Sequence, residues 1–200
     1  IFEDRDSATL NIVRNHLVNV AMSGFIDGEE QGFAKLQEAA RTEASQIKRE
    51  FIENIFAEFK AIAQESLPPV FKSEVEGWFS EKSPFPLFRQ KYFVHEFLTN
   101  RRAFRKLLNG ETGATKTACA YLAFEKAGVE RATIVGPAIS RDTWPKEARK
   151  IFKDETRPDV FAVSGAEDLK SPRIESAKYV FVSSQLLARA WDDPKLYEAM

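Results

Sequence analysis

The apolar pair Leu107-Leu108 runs into Asn109-Gly110-Glu111-Thr112-Gly113-Ala114-Thr115-Lys116-Thr117, and a helical pattern (Ala118, Tyr121, Leu122, Phe124) follows at once. Strand, glycine-containing loop and helix, in that order, constrain this chain more than any other stretch. A phosphate-binding loop reads Gly, four residues, then Gly-Lys-Ser/Thr. Gly110, Lys116 and Thr117 stand at that spacing, with Thr115 in the place of the second glycine. In such a loop the successive backbone N–H groups and a helix N-terminus form a concave anion site. The Gly110–Thr115 backbone is thus the candidate cradle for the phosphates of a nucleotide such as ATP. The Lys116 ammonium would reach the terminal phosphates, and the Thr117 hydroxyl would ligate Mg²⁺, which keeps most of its other ligands as water and phosphate. The second glycine matters because the backbone passes close to the phosphates. If that position needs a positive φ, a stiff β-branched threonine there costs ~1–2 kcal/mol. The same residues also fit a glycine-rich turn that merely joins a strand to a helix.

Composition sets the frame. Across 200 residues, 44% are hydrophobic, 30% are charged and the net charge is −1, which suits one globular domain or two small ones. The balanced charge gives no global sign of nucleic-acid binding, so any such surface has to be local. The single cysteine, Cys119, cannot form an internal disulfide, and a buried thiol in a reducing compartment fits it. No apolar run reaches membrane-spanning length and no signal-peptide pattern opens the chain. The expected location is therefore intracellular, cytoplasmic or nucleoid/nuclear, with no membrane partner. His16 and His95 are isolated, and no Cys/His spacing suggests zinc.

Residues 1–82 read as an all-α region. Asp6 or Ser7 can cap a helix with Leu10, Val13, Leu17 and Val20 on one side. Phe33, Leu36, Ala40, Ala44, Ile47, Phe51, Ile55, Phe59 and Ile62 then lay one apolar stripe along a helix of about ten turns. That stripe fits packing against its own neighbours, or an interface with a partner or another part of the same protein. Pro68-Pro69 ends it, and Val70, Phe71, Val75, Trp78 and Phe79 suggest one more short helix. Ser83-Pro84-Phe85-Pro86 is the clearest break, and the domain boundary is placed there, giving 1–82 and 83–200.

A helical pattern through Tyr92, Phe93, Phe97 and Leu98 follows. Arg101, Arg102, Arg105 and Lys106 then fit either a nucleic-acid backbone or a solvated edge. Beyond the loop helix, Gly128 is a C-cap candidate. Ala132–Val135, Asp159–Val163 and Lys178–Val182 read as strands. Between the first two, Asp142 or Ser140 caps a helix with Trp144, Ala148, Ile151 and Phe152 inward, and Pro145 falls in its tolerant first turn. Ser184 can cap the helix carrying Leu186, Leu187 and Ala190. Apolar strands alternating with helices predict an α/β fold with a parallel sheet covered on both faces. Ligands bind such sheets at the carboxyl ends of the strands. Gly110–Thr117, Gly136–Ser140 and Ser183–Ser184 all fall at those ends.

The order of segments resembles a known family. The loop is followed by Thr133-Ile134-Val135-Gly136-Pro137-Ala138-Ile139-Ser140, by Trp144-Pro145-Lys146-Glu147-Ala148, and by Tyr179-Val180-Phe181-Val182-Ser183-Ser184-Gln185-Leu186-Leu187. From about Leu87 to Met200 this is similar to the first RecA-like lobe of superfamily-two helicases, above all the Swi/Snf-type DNA-translocating ATPases. Those carry an Asp-Glu-x-Gly-x-Gly-Lys-Thr loop, a Pro-Ala/Ser segment followed by Trp-x-x-Glu, and a strand ending near Thr/Ser-Tyr-x-x-Leu. The resemblance implies a partial RecA-like sheet binding ATP and Mg²⁺. Gln90, in Arg89-Gln90, would read adenine, and Pro137, Ala138, Ser183 and Ser184 would face the phosphates of duplex DNA, positioning without reading sequence.

The chain departs from the family at Thr115, which replaces Gly, and at Gly110, which stands for Asp. It also lacks the acidic metal box, since Asp192-Asp193 has no apolar strand before it. The expectation is an N-terminal piece of a longer ATPase, truncated before that box and partnered by the missing C-terminal part of the same protein. By itself it should not turn over, because phosphoryl transfer needs an acidic metal partner and a charge-stabilising arginine as well. Two other readings stay open: a degenerate, non-hydrolysing helicase-fold binding module, and an unrelated phosphate-loop enzyme such as a kinase.

Overall fold

The computed structural model describes residues 29–42, 46–76, 82–99 and 115–192, besides His16. The chain forms two compact units, one of residues 1–66 with 86–96 and one of residues 67–85 with 97–200. The Ser83–Pro86 break holds the second of the three crossings between them. The expected helix over Leu10–Val20, the strand at Leu107-Leu108 and the cations Arg101, Arg102, Arg105 and Lys106 lie outside the described residues.

The first unit contains α1 (Glu29–Thr42), α2 (Gln46–Gln64) and the part of α3 (Phe88–Thr99) up to Glu96. The stripe read as one ten-turn helix is folded back on itself. The Phe33 and Phe56 rings meet edge to face at 5.3 Å, whereas a straight helix would hold residues that far apart in sequence about 35 Å apart. A stripe at helical spacing is buried as well by a hairpin as by a partner, and neither Gly nor Pro marks the fold-back. Leu36, Ile52, Ile55, Phe59 and Ile62 close onto Phe88 and Tyr92 of α3 in one apolar cluster. Lys91 of α3 donates through Nζ to the Ala63 carbonyl at 2.6 Å and to that of Glu65 at 3.3 Å. A cation thus meets the last carbonyls of α2, where the helix dipole favours positive charge. The helical pattern expected through Tyr92, Phe93, Phe97 and Leu98 is α3, with Phe93, Phe97 and Leu98 more than a third exposed.

The second unit opens with a short antiparallel pair, β1 (Glu74–Glu76) and β2 (Lys82–Pro84), in register Val75 opposite Ser83. The helix expected over 70–79 is therefore a strand at 74–76; Trp78 and Phe79 lie outside the described residues. Its residues are recruited by backbone pairing to a distant segment. Lys72 N–H donates to Ile151 O at 2.8 Å, Lys153 N–H donates to Val70 O at 2.9 Å, and the Phe71 ring lies 4.6 Å from that of Phe152. Non-local pairing of this kind overrides local periodicity.

After α4 (Lys116–Lys126) comes a parallel sheet of β3 (Ala132–Gly136), β4 (Val160–Ala162) and β5 (Tyr179–Ser183), with β5 in the middle. Helices α5 (Thr143–Ile151), α6 (Arg173–Ser176) and α7 (Ser184–Asp192) complete the described fold, which is mixed α/β. β5 is buried along nearly its whole length. Val180 and Val182 pack with Phe161, Val163, Leu169 and Leu186 on one side, while Tyr179 meets Tyr121 and Phe124 of α4 on the other. β3 departs from the expected double cover: Ile134 is buried on one face but Thr133 and Val135, on the other, are exposed.

Gly128 ends α4 with φ +65. Its N–H donates to Glu125 O, and Val129 N–H donates to Phe124 O. These are the paired bonds of a Schellman motif, which a left-handed residue makes possible.

Candidate functional site

Gly128 turns the chain from the end of α4 toward β3, and Glu125, near that end of the helix, accepts from the Tyr179 hydroxyl at the start of β5. Of the proposed phosphate loop, Gly110, Glu111, Thr112, Gly113 and Ala114 lie outside the described residues. Its last residue does not. Thr115 has φ 53 and ψ 39, the left-handed region, and is the one non-glycine residue with positive φ among those described. The position where the pattern wants glycine is thus a position whose backbone favours glycine. Lys116 and Thr117 are the first two residues of α4, exposed and half-buried respectively. Intrahelical bonding starts when Cys119 N–H donates to Thr115 O at 3.1 Å. The amides of Thr117 and Ala118 have no intrahelical acceptor by construction, and the Thr115 side chain does not cap them.

Two further expected segments meet. Gly136 of β3 stands in register with Ser183 of β5. A Cβ on Gly136 would come within 3.0 Å of Ser140 Oγ and 3.2 Å of the Phe181 ring, so glycine is what lets the turn fold over the strand end. The Ser140 hydroxyl donates to Pro137 O at 2.8 Å, closing the single 3₁₀ turn Ala138–Ser140. Ala138 N–H donates to Gln185 Oε1 at 3.1 Å, and Ser184 Oγ donates to the same oxygen at 3.2 Å. Pro137, Ala138, Ser183 and Ser184 therefore share one neighbourhood, with Gln185 at its hub. Sequence reading missed that hub; the only available sign was an amide side chain just after Ser183-Ser184.

Two capping assignments need correction. Ser183, not Ser184, caps α7, its Oγ accepting from Leu186 N–H at 3.1 Å. Neither Ser140 nor Asp142 caps α5 through a side chain. Ser140 is spent on Pro137, and Asp142 pairs with Arg141 at 3.2 Å.

Past β4, the backbone N–H of Ser164 (2.7 Å) and its hydroxyl both donate to Asp168 Oδ2. These bonds, the hydroxyl's first, hold the Asp168 carboxyl below the ordinary carboxylate range, with smaller help from the Gly165 amide and the Arg141 charge.

Gln90 belongs to the first unit. It is 1% exposed, and its Oε1 accepts from Leu87 N–H at 2.8 Å. As the third residue of α3 it makes the return half of a capping box. Among the described residues no group of three or more His, Cys, Asp or Glu side chains could hold a metal, and no helix is long and apolar enough to cross a membrane. No family model, no curated protein and no solved structure matches this chain.

Proposed function

We propose that this chain contributes the nucleotide-binding part of an ATP-dependent, nucleic-acid-stimulated translocase of the Swi/Snf type, built on a RecA-like lobe. The observation that carries the reading is the left-handed backbone of Thr115 immediately before a helix that opens Lys116-Thr117. A residue held in a disfavoured conformation persists where the surroundings over-determine it, and such residues gather at functional sites. The phosphate-loop pattern places glycine at that position, and a left-handed backbone is one that glycine adopts readily. The parallel sheet supports the reading too, since Gly136–Ser140 and Ser183–Ser184 stand at its carboxyl end, where α/β sheets bind ligands.

In this scheme the Lys116 ammonium neutralises terminal phosphate charge, the Thr117 hydroxyl ligates Mg²⁺, and the Pro137-Ala138 and Ser183-Ser184 turns meet duplex DNA through its phosphates. Calorimetry with ATP and Mg²⁺ tests the first part: wild type binds, and Lys116→Ala weakens binding at least tenfold. DNA-stimulated hydrolysis by the full-length protein, abolished by the same substitution, tests the second. Equal ATP affinity in wild type and variant would remove the phosphate site. Binding without hydrolysis by that full-length protein at any DNA concentration would leave the non-hydrolysing binding module.

A further inference from the structure

We propose that the open edge of β3 is an interaction surface for a second copy of this chain, the two β3 strands pairing antiparallel about a two-fold axis at Ile134. The inference draws on neither nucleotide nor DNA and is independent of the translocase reading.

The ladder decides which backbone groups are spent. Ala132 N–H donates to Lys178 O at 2.9 Å, and the register runs from Ala132 opposite Tyr179 to Gly136 opposite Ser183. On its other side β5 uses Tyr179 N–H toward Asp159 O, and Phe181 O toward Val163 N–H. Alternate residues of a parallel strand serve the same neighbour. Ala132, Ile134 and Gly136 therefore serve β5, and the N–H and C=O of Thr133 and Val135 point away from it. Among the described residues those four groups meet no partner, since β3 stands at the end of its sheet. The usual guards of an edge are charge, proline or a bulge. Ala132-Thr133-Ile134-Val135-Gly136 has no charge and no proline, and its register is unbroken. Val135 is 55% exposed, and Thr133, on the same face, is exposed as well.

These groups fit their own copy. With Ile134 facing its counterpart, Thr133 of each copy faces Val135 of the other, and each such pair exchanges two N–H···O bonds. All four outward groups of each strand are then used. Two Thr–Val pairs come side by side on the bare face, and cross-strand pairs of this kind stabilise sheets. A parallel pairing of the two edges needs a one-residue stagger, which a two-fold axis forbids. The contact is small beside the roughly 1,600 Å² of a standard interface, so the dimer is weak.

Sedimentation velocity on the 200-residue chain, across a concentration series, should show monomer passing reversibly into dimer and no further. Thr133→Pro deletes an outward N–H and no bond to β5, and proline is tolerated on an edge strand whose N–H faces solvent. By symmetry it removes two of the four bonds between the copies and should weaken association roughly tenfold or more. Val135→Lys sets two like charges on one face of the joined sheet and should weaken it too. In hydrogen exchange, the Thr133 and Val135 amides should be protected in concentrated samples and not in dilute ones, with Ile134 protected in both.

A wild type that stays monomeric up to its solubility limit overturns the proposal; protected Thr133 and Val135 amides in that monomer would mean that another segment of the chain covers the edge. Association that neither substitution weakens places the contact elsewhere and overturns it equally. Growth past the dimer does the same, because the two-fold pairing uses up the edge. Should Thr133→Pro fail to fold, Val135→Lys, at an exposed position, decides alone, with unchanged association overturning the proposal.

Discussion

Thr115 is held at φ 53 against the preference of a β-branched side chain. Replacing it by glycine removes ~1–2 kcal/mol of left-handed strain but adds roughly 0.5–1 kcal/mol of unfolded-chain freedom. The relief is the larger of the two, so Thr115→Gly should raise the urea midpoint slightly, by up to about 1 kcal/mol of stability. Its expected signature lies elsewhere: ATP binds more tightly by calorimetry once the Cβ is gone from beside the phosphates. Looser binding would show that the threonine contributes to the site. Gly128 poses the opposite case. A Cβ there meets nothing within 4 Å, so Gly128→Ala is a purely conformational change, costing about 1–2 kcal/mol, read as a lowered thermal midpoint. Both positions could be picked out in the sequence, because glycine signals, kept at 128 and replaced at 115, report backbone conformation directly. Gln185 could not, because an amide side chain carries no sign of which distant amide it will accept from.

Elements were legible where their signal is local. The strands at 132–136, 160–162 and 179–183 and the helices between them follow from apolar runs and breakers. The fold-back between α1 and α2 was not, because an amphipathic stripe specifies which side is buried and not what buries it. A double-mutant cycle settles that geometry. Phe33→Leu and Phe56→Leu should couple by about 0.5–1.5 kcal/mol, the range for an edge-to-face pair, whereas independent effects would mean the rings do not meet. The start of α3 supplies a second check. Gln90→Ala leaves the Leu87 amide without its acceptor, and the expected loss is about 1 kcal/mol, read as a lower urea midpoint for the first unit. Serving adenine as well would call on the second lone pair of Oε1 and on the Nε2 hydrogens; Gln90→Ala that leaves ATP affinity unchanged would assign the residue to capping alone.

At the scale of the molecule, the second unit carries titrations of opposite sense at the two ends of the pH range. Asp168 is held below the ordinary carboxylate range by its Ser164 bonds. Its folded form binds its proton more weakly than the unfolded chain does, so its stabilisation is present above the ordinary carboxylate pKa and is lost as pH falls through the depressed value. Tyr121 and Tyr179 run the other way. Burial raises both phenols, with the Glu147 charge adding for Tyr121 and the Glu125 hydrogen bond and charge adding for Tyr179. A raised folded pKa gives stability that is complete below the unfolded value and drains away as pH climbs past it. Above about pH 10, the ordinary tyrosine value, the unfolded chain sheds two protons that the folded unit keeps, and the urea midpoint should fall steadily. Tyr179→Phe should lower the midpoint at neutral pH by removing its bond to Glu125, which retains Lys178 at 2.7 Å. The same variant should then decline less steeply in alkali, with one phenol left to titrate. Parallel alkaline declines in wild type and variant would mean that Tyr179 is not the buried phenol the packing of β5 against α4 makes it.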